Sequence, residues 1–231
     1  MVPGVKALIF DVFGTLVDWR SSVALQARDL LEPLGVATDW YSFADAWRGE
    51  YQGAMEAVRS GEIGFCKLDV LHRRNLDIVL GRLGGAAADV DDGVRSELNR
   101  VWHRLDAWPD VHHGLQTLRH RYRLAPCSNG HVGLMINLAR HNHWHWDAIL
   151  GAEVTGNYKP RPEVYRRACE LLDLQPPEVM MVAAHSDDLA AAAACGLRTG
   201  FLPRPDEHGP GRGELAPCLP VDFTFDSTGL A

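Results

Sequence analysis

Polar residues that could do chemistry follow apolar runs at separate places in this 231-residue chain. Asp11 directly follows VKALIF, Ser128 and Asn129 follow RYRLAPC, and Asp188 comes shortly after EVMMVAA. An ionised carboxylate can attack an electrophilic carbon and form an ester, and a second carboxylate can act as a base. A neighbouring ammonium such as that of Lys159 would keep both carboxylates ionised. These residue types indicate nucleophilic catalysis.

Residues 5–10, the segment VKALIF, must position Asp11. Their nearly continuous apolar run predicts a strand in a parallel sheet that is covered on both faces. Later segments alternate between apolar spacing typical of helices and short apolar runs typical of strands. We predict helices at 111–120, 131–141, 161–173 and 187–195. We predict strands at 121–127, 147–151, 178–184, 197–202 and 220–225. This alternation predicts a doubly wound parallel α/β sheet. The polar residues would then meet at the carboxyl ends of its strands, where such sheets bind ligands.

A block with helical periodicity separates the first strand from the rest of the sheet. We predict four helices in it, at 22–34, 41–58, 67–83 and 91–105, with no strand between them. The sequence therefore predicts an α/β core domain from residues 1–17 and 106–231, with an inserted helical cap domain at 18–105. The Pro- and Gly-rich segment 203–220 is expected to be a long surface loop.

Composition and charge narrow the classes of partner. The formal net charge of -7 argues against nucleic acid, because phosphate binding favours a basic face. No apolar run approaches the ~18 residues of a membrane span. The five cysteines include no CxxC pair, which argues against a zinc site and suggests reduced thiols in a cytoplasmic protein.

Four motifs in order resemble those of the haloacid dehalogenase superfamily. The run IFDVFGTLVD resembles motif I, in which the aspartate, here Asp11, is the nucleophile. Ser128-Asn129-Gly130 is similar to motif II, Tyr158-Lys159-Pro160 to motif III, and Asp188 after VMMVAAHS to motif IV. The resemblance covers nearly the whole chain and implies the Rossmannoid core of that superfamily.

Phe13 indicates the branch of the superfamily. Phosphatases of the superfamily carry a second aspartate at this position, two residues after the nucleophile, and it protonates the leaving alcohol. A phenyl ring has no proton to give, and halide needs none to leave. Aromatic residues here are typical of type II L-2-haloacid dehalogenases, which segments 46–51 and 204–217 also resemble. The resemblance implies hydrolysis of short L-2-haloalkanoic acids to 2-hydroxy acids, with inversion at carbon 2.

The same resemblance implies roles for individual residues. Asp11 would be the nucleophile, Lys159 its cation, Asp188 the base of the second step, and Arg48 the group that binds halide or substrate carboxylate. The expected substrate-binding residues are Phe13, Thr15, Ser128, Asn129, Tyr165 and His185, with Tyr165 orienting Lys159 or the substrate. Familiar members carry Ser and Asn where this chain has Ala183 and His185, so the role of His185 stays open. No metal or cofactor is expected, and a homodimer remains an open expectation.

Two other interpretations remain. A phosphatase of the superfamily acting on a small phosphoester would hold Mg²⁺ between Asp11, the backbone carbonyl of residue 13, and Asp188. A non-catalytic interaction protein that kept the fold is the second. The sequence does not specify the halogen or the chain length of the substrate.

Overall fold

The chain divides into two compact units in a computed structural model that describes residues 3–226. One unit combines Met1–Asp18 with Asp106–Ala231, and the other is Trp19–Leu105. The two segments of the first unit pair where they leave it, since the backbone N–H of Asp18 donates to the carbonyl of Asp106 at 2.9 Å. Among the described residues, no helix combines the length and apolar character needed to cross a bilayer.

The second unit is helical. Its helices are α1 (Trp19–Leu31), α2 (Trp40–Gly49), α3 (Tyr51–Arg59), α4 (Leu68–Leu83) and α5 (Asp92–Asn99). Aromatic rings fill its interior: the Trp47 indole donates to the carbonyl of His72 at 2.9 Å, and the His72 ring stacks on Trp102 with centroids 4.3 Å apart. The prediction of one helix over 41–58 is wrong. The chain tightens at Glu50, whose N–H bonds back to the carbonyl of Trp47 and separates α2 from α3.

A six-stranded parallel sheet forms the centre of the first unit. Its strands are β1 (Ala7–Phe10), β2 (Arg123–Ser128), β3 (Leu150–Gly151), β4 (Val179–Ala183), β5 (Arg198–Phe201) and β6 (Phe223–Thr224). Their order is β3-β2-β1-β4-β5-β6, and every pairing is parallel. The predicted doubly wound sheet is confirmed. Its order reverses around β1, so the crevice for a ligand lies at the carboxyl end of that strand.

The apolar content of the central strands explains why they lie in the middle. All four residues of β1 and all five of β4 are buried. Ile9 of β1 pairs with Ala125 on one side and Met181 on the other. Both faces of these strands are therefore covered, as the continuous apolar runs predict.

Within residues 3–226, five α-helices accompany the sheet: α6 (Val111–Leu118), α7 (Val132–His141), α8 (Ala152–Thr155), α9 (Pro162–Leu171) and α10 (Ser186–Ala194). The predicted strand 147–151 is shorter in the structure, where only Leu150–Gly151 pairs with β2. Gly151 has a φ of 116°, and a Cβ atom there would lie 2.1 Å from the carbonyl oxygen of Ser128. Only glycine permits so close an approach of the two strands.

The segment after β5 departs from the expected surface loop. Arg204 and Glu207 are buried, with exposed fractions of 7% and 2%. The Arg204 guanidinium forks onto the Asp110 carboxylate at 2.7 and 2.9 Å and donates to the carbonyl of Thr15 at 2.7 Å. The prediction of a wholly surface loop is therefore wrong for its first part, which is tied to the core unit beside the loop that follows β1.

Candidate active site

Asp11 stands at the end of β1, in the crevice of the sheet. Its backbone N–H donates to the carbonyl of Val182 at 2.9 Å, which continues the β1–β4 pairing through this residue. The Thr15 hydroxyl donates to Asp11 Oδ2 at 2.7 Å and accepts from the N–H of Ala184 at 2.9 Å. Main chain and side chain of Asp11 are thus both fixed. Thr15, expected to bind substrate or nucleophile, contacts the nucleophile.

Lys159 lies between the two carboxylates. Its Nζ is 2.8 Å from Asp11 Oδ1 and 2.5 Å from Asp188 Oδ2, and all three side chains are at most 10% exposed. The end of β2 places this lysine, because Asn129 Oδ1 accepts the backbone N–H of Lys159 at 2.8 Å. The structure therefore brings these four predicted residues together from separate parts of the sequence.

Burial and neighbouring charges shift the pKa values of Asp11 and Asp188 in opposite directions. Burial alone would raise the pKa of Asp11, but Lys159 and His185 outweigh it and hold that pKa well below its usual range. Burial likewise opposes the charge of Lys159, yet the flanking carboxylates raise its pKa. Burial, with the charge of Asp11, raises the pKa of Asp188 despite the contact with Lys159. Asp11 is therefore the carboxylate kept ionised, and Asp188 is the more basic of the two.

Three other predicted residues line this region with different contacts. The Tyr165 hydroxyl donates to Asp188 Oδ1 at 2.5 Å, so it orients Asp188 rather than Lys159. Ser128 Oγ accepts the N–H of Gly130 at 3.0 Å. Phe13 is buried, with 3% of its surface exposed. Its ring lies next to Gly130, where an added Cβ atom would be 3.4 Å from it. That Ser128, Asn129 and Phe13 contact substrate stays a prediction.

His185 approaches the same nucleophile from another side. Its Nδ1 is 3.3 Å from Asp11 Oδ2, and its Nε2 is 2.8 Å from Glu207 Oε2. The sequence interpretation did not name Glu207, although segment 204–217 was part of the resemblance; a charged residue amid prolines and glycines was the available signal. Asp187 is exposed, and its carboxylate accepts the N–H of Asp188 at 2.8 Å, so it turns away from Asp11.

Arg48 belongs to the helical unit, in the last turn of α2. Its guanidinium carbon lies 3.9 Å from the centre of the Tyr51 ring and 5.5 Å from that of Trp19. Its Nη1 is buried and has no hydrogen-bond partner among residues 3–226. A buried guanidinium nitrogen without a partner is suited to an anion. Whether Arg48 takes part in the reaction stays a prediction.

Comparison with known proteins identifies the family. A model of the haloacid dehalogenase-like hydrolases matches residues 5–196. The chain belongs to that family. Among solved structures it is similar to a defluorinating L-2-haloacid dehalogenase (42% identity, TM-score 0.94, covering 99% of this chain and 94% of that one). A second L-2-haloacid dehalogenase structure matches at 44% identity and a TM-score of 0.91, covering 98% and 95% of the two chains.

A curated relative from Burkholderia cepacia, (S)-2-haloacid dehalogenase 4A, is 25% identical over 94% of this chain and 90% of its own length. The predicted superfamily and the predicted α/β fold are thereby confirmed. The chain spans nearly the full length of each of these relatives, so the core and the helical unit both fall within the likeness.

The phosphatase alternative requires Mg²⁺, and the donors around Asp11 can be compared with the needs of that ion. Mg²⁺ requires oxygen ligands in near-octahedral geometry. Here Asp11 Oδ1 and Asp188 Oδ2 both accept from Lys159, while Thr15 occupies Asp11 Oδ2 and Tyr165 occupies Asp188 Oδ1. Each oxygen of the two carboxylates thus already has a donor, and an ammonium lies between them. Because the ammonium of Lys159 already supplies positive charge to both carboxylates, this set of residues favours a metal-free site over one that holds Mg²⁺.

Proposed function

We propose that this chain hydrolyses short L-2-haloalkanoic acids to 2-hydroxy acids through an ester on Asp11. One observation carries the proposal: a buried carboxylate is held ionised by Lys159 while the acid position two residues later is occupied by buried Phe13. Such a site has a nucleophile and no proton donor at that position. It suits a leaving group that departs as an anion.

The first step is an in-line displacement. A carboxylate oxygen of Asp11 bonds to carbon 2 of the substrate, and the carbon–halogen bond breaks with its electron pair going to halide. Attack from the face opposite the halogen inverts that carbon. The contacts of Asp11 with Thr15 and Lys159 support this step because they fix the direction of the carboxylate before substrate arrives.

The second step restores the enzyme. Water attacks the carbonyl carbon of the Asp11 ester, the bond from that carbon to the alkoxide oxygen breaks, and the 2-hydroxy acid leaves. One oxygen of water thus remains in the Asp11 carboxylate after each turnover. Lys159 supports this second step, since an ammonium at this carboxylate favours the ionised product of hydrolysis.

Substrate recognition is proposed from the relatives and from the helical unit. The names of the similar enzymes specify L- or (S)-2-haloacids, which carry a carboxylate next to the reacting carbon. We assign that carboxylate, or the departing halide, to Arg48, whose buried Nη1 is unsatisfied within the described residues. Ser128 and Asn129 are the proposed polar contacts in the core unit. A homodimer and a cytoplasmic location remain predictions.

Single-turnover hydrolysis in ¹⁸O-water tests the ester. With enzyme in excess over L-2-chloropropionate, we expect the label in Asp11 by peptide mass spectrometry and chloride release that persists with a chelator. Asp11→Asn should abolish chloride release while the circular dichroism spectrum is retained. Unlabelled Asp11 after turnover, or turnover of p-nitrophenyl phosphate that needs Mg²⁺ and exceeds chloride release, would contradict the proposal.

A further inference from the structure

We propose that His185, held by Glu207, is the general base that activates water for hydrolysis of the ester on Asp11. This inference rests on the proposed function and adds a residue to its second step. The sequence indicates Asp188 as that base, whereas the geometry favours His185.

The position of His185 favours it over Asp188. Its Nδ1 is 3.3 Å from Asp11 Oδ2, which places the ring within reach of a water molecule at the carbon of that carboxyl group. Asp188 has both oxygens engaged, one by Lys159 at 2.5 Å and the other by the Tyr165 hydroxyl at 2.5 Å. A carboxylate whose two oxygens both accept short hydrogen bonds is poorly placed to take a proton from water. We therefore infer that Asp188 holds the lysine and that His185 meets the water.

Glu207 gives the ring its orientation. Its Oε2 is 2.8 Å from His185 Nε2, so the remaining nitrogen, Nδ1, faces Asp11. A carboxylate on the far nitrogen of a histidine fixes the tautomer and raises the basicity of the ring. Nucleophile, imidazole and carboxylate thus form a chain of three groups that runs from β1 through the start of α10 to the segment after β5.

The fold makes room for this glutamate and holds it. Gly14 has a φ of 87°, and a Cβ atom there would lie 2.0 Å from Glu207 Oε1. Arg204, three residues earlier, ties the segment to Asp110 and to the carbonyl of Thr15. Glu207 itself is 2% exposed. The space left by Gly14 and the anchoring by Arg204 together fix the buried carboxylate of Glu207 beside His185.

Proton transfer through His185 balances over the cycle. Burial alone would lower the pKa of His185, but Asp11 and Glu207 raise it well above its usual value, so the resting ring is protonated. Alkylation removes the charge of Asp11, and the ring then releases one proton to solvent, which is the net proton of the reaction. The neutral ring takes a proton from the attacking water and gives it to the departing alkoxide. The regenerated carboxylic acid of Asp11 returns its proton to the ring.

The experiment measures the two steps separately. His185→Asn is mixed with excess L-2-chloropropionate, quenched at intervals, and assayed for chloride and for the intact protein mass. We expect a burst of about one chloride per chain followed by a slow steady state, with the ester accumulating on the protein. Decay of the ester should be slower than in the wild type by roughly 10²-fold or more. Glu207→Gln should also slow ester decay, by a smaller factor, because the ring keeps its place and loses basicity.

Glu214→Gln is the matched control. Glu214 lies in the same segment, and its carboxylate accepts from the Ser186 hydroxyl at 2.5 Å rather than from His185. We expect its ester to decay at the wild-type rate. An ester that decays at the wild-type rate in both His185→Asn and Glu207→Gln would overturn the role of His185 and leave the proposed function intact, as would loss of the chloride burst in His185→Asn. Absence of any ester in the wild type and the variants would instead contradict the proposed function.

Discussion

The Asp11 carboxylate receives different donors on its two oxygens. Oδ1 accepts from Lys159, and Oδ2 accepts from Thr15 with His185 nearby. A buried anion is costly unless each oxygen is bonded and an opposite charge is close. These contacts meet both conditions. They also leave the side chain ionised at the pH at which a nucleophile must act.

Lys159→Met tests how much of this depends on the ammonium. The methionine stem resembles that of lysine and lacks the charge, so two buried carboxylates lose the cation between them. We expect chloride release to fall by about 10³-fold, equal to ~4 kcal/mol of barrier. Because Lys159 lowers the pKa of Asp11, its loss should also move the acidic limb of the kcat/KM profile to higher pH. The measurement is the pH profile from chloride release.

Lys6→Met is the control for that variant. Lys6 is exposed and pairs with Glu178 at 2.6 Å, so it loses the same charge away from the carboxylates. An exposed ion pair of this kind contributes little to stability. We therefore expect Lys6→Met to leave the pH profile of chloride release unchanged. A loss below tenfold in Lys159→Met, or an acidic limb that stays in place, would remove Lys159 from the mechanism.

The residue types in the sequence predicted the contacts at the centre of the site but not the contacts of the residues around it. Asp11, Lys159 and Asp188 meet as the sequence indicated, because parallel strands end at one edge of the sheet. The partner of Tyr165 could not be predicted, since a hydroxyl on α9 reaches several polar groups and only packing chooses among them. Glu207 was missed because no periodic pattern marks a buried carboxylate within an irregular segment.

The elements beside the nucleophile depend on one glycine. Gly14 combines a left-handed backbone with contact to Glu207, so it serves the turn after β1 and the placement of a segment almost two hundred positions later. A left-handed conformation costs an L-residue about 1–2 kcal/mol, and a contact of 2.0 Å adds a steric cost. The two costs can be separated experimentally.

Gly14→Ala should destabilise the protein by more than about 2 kcal/mol and slow ester hydrolysis, because the methyl group displaces Glu207. Gly4→Ala supplies the backbone cost alone, since Gly4 has a φ of 85° and no atom within 4 Å of its added Cβ. In the double variant Gly14→Ala with Glu207→Ala, we expect the stability loss to be smaller than the sum of the single losses. Urea unfolding provides the free energies. Additive losses would show that the methyl group and Glu207 do not meet.

Continuous apolar runs made the central elements predictable, whereas their ends were less so. β1 and β4 lie within the predicted 5–10 and 178–184. The break at Glu50 divides a segment with unbroken helical periodicity, because a tightened turn leaves the pattern of apolar positions almost unchanged. The short strand Leu150–Gly151 ends where Gly151 meets β2, a contact that no local pattern contains.

At the scale of the whole molecule, the helical unit is an insertion into a core that closes without it. Val17 and Ala107 form an antiparallel bridge, and the N–H of Trp108 donates to the carbonyl of Leu16 at 3.0 Å. The two ends of the core chain are therefore already paired. The contacts among Asp11, Lys159, Asp188 and His185 all lie within the core unit. We therefore expect the core unit to fold and hold its catalytic residues without the helical unit, and the helical unit to be needed for binding the substrate.

Replacing residues 19–105 by a short Gly/Ser turn tests that separation. We expect the remaining core to unfold cooperatively in urea, because its sheet and the pairing at Val17 and Ala107 are internal to it. Chloride release from L-2-chloropropionate should be lost, since the proposed anion-binding Arg48 is removed with the helical unit. Full-length Arg48→Ala is the matched comparison and should raise KM or lower kcat without altering the unfolding of the core. A truncated core that releases chloride at the full-length rate would exclude Arg48 and the whole helical unit from the reaction.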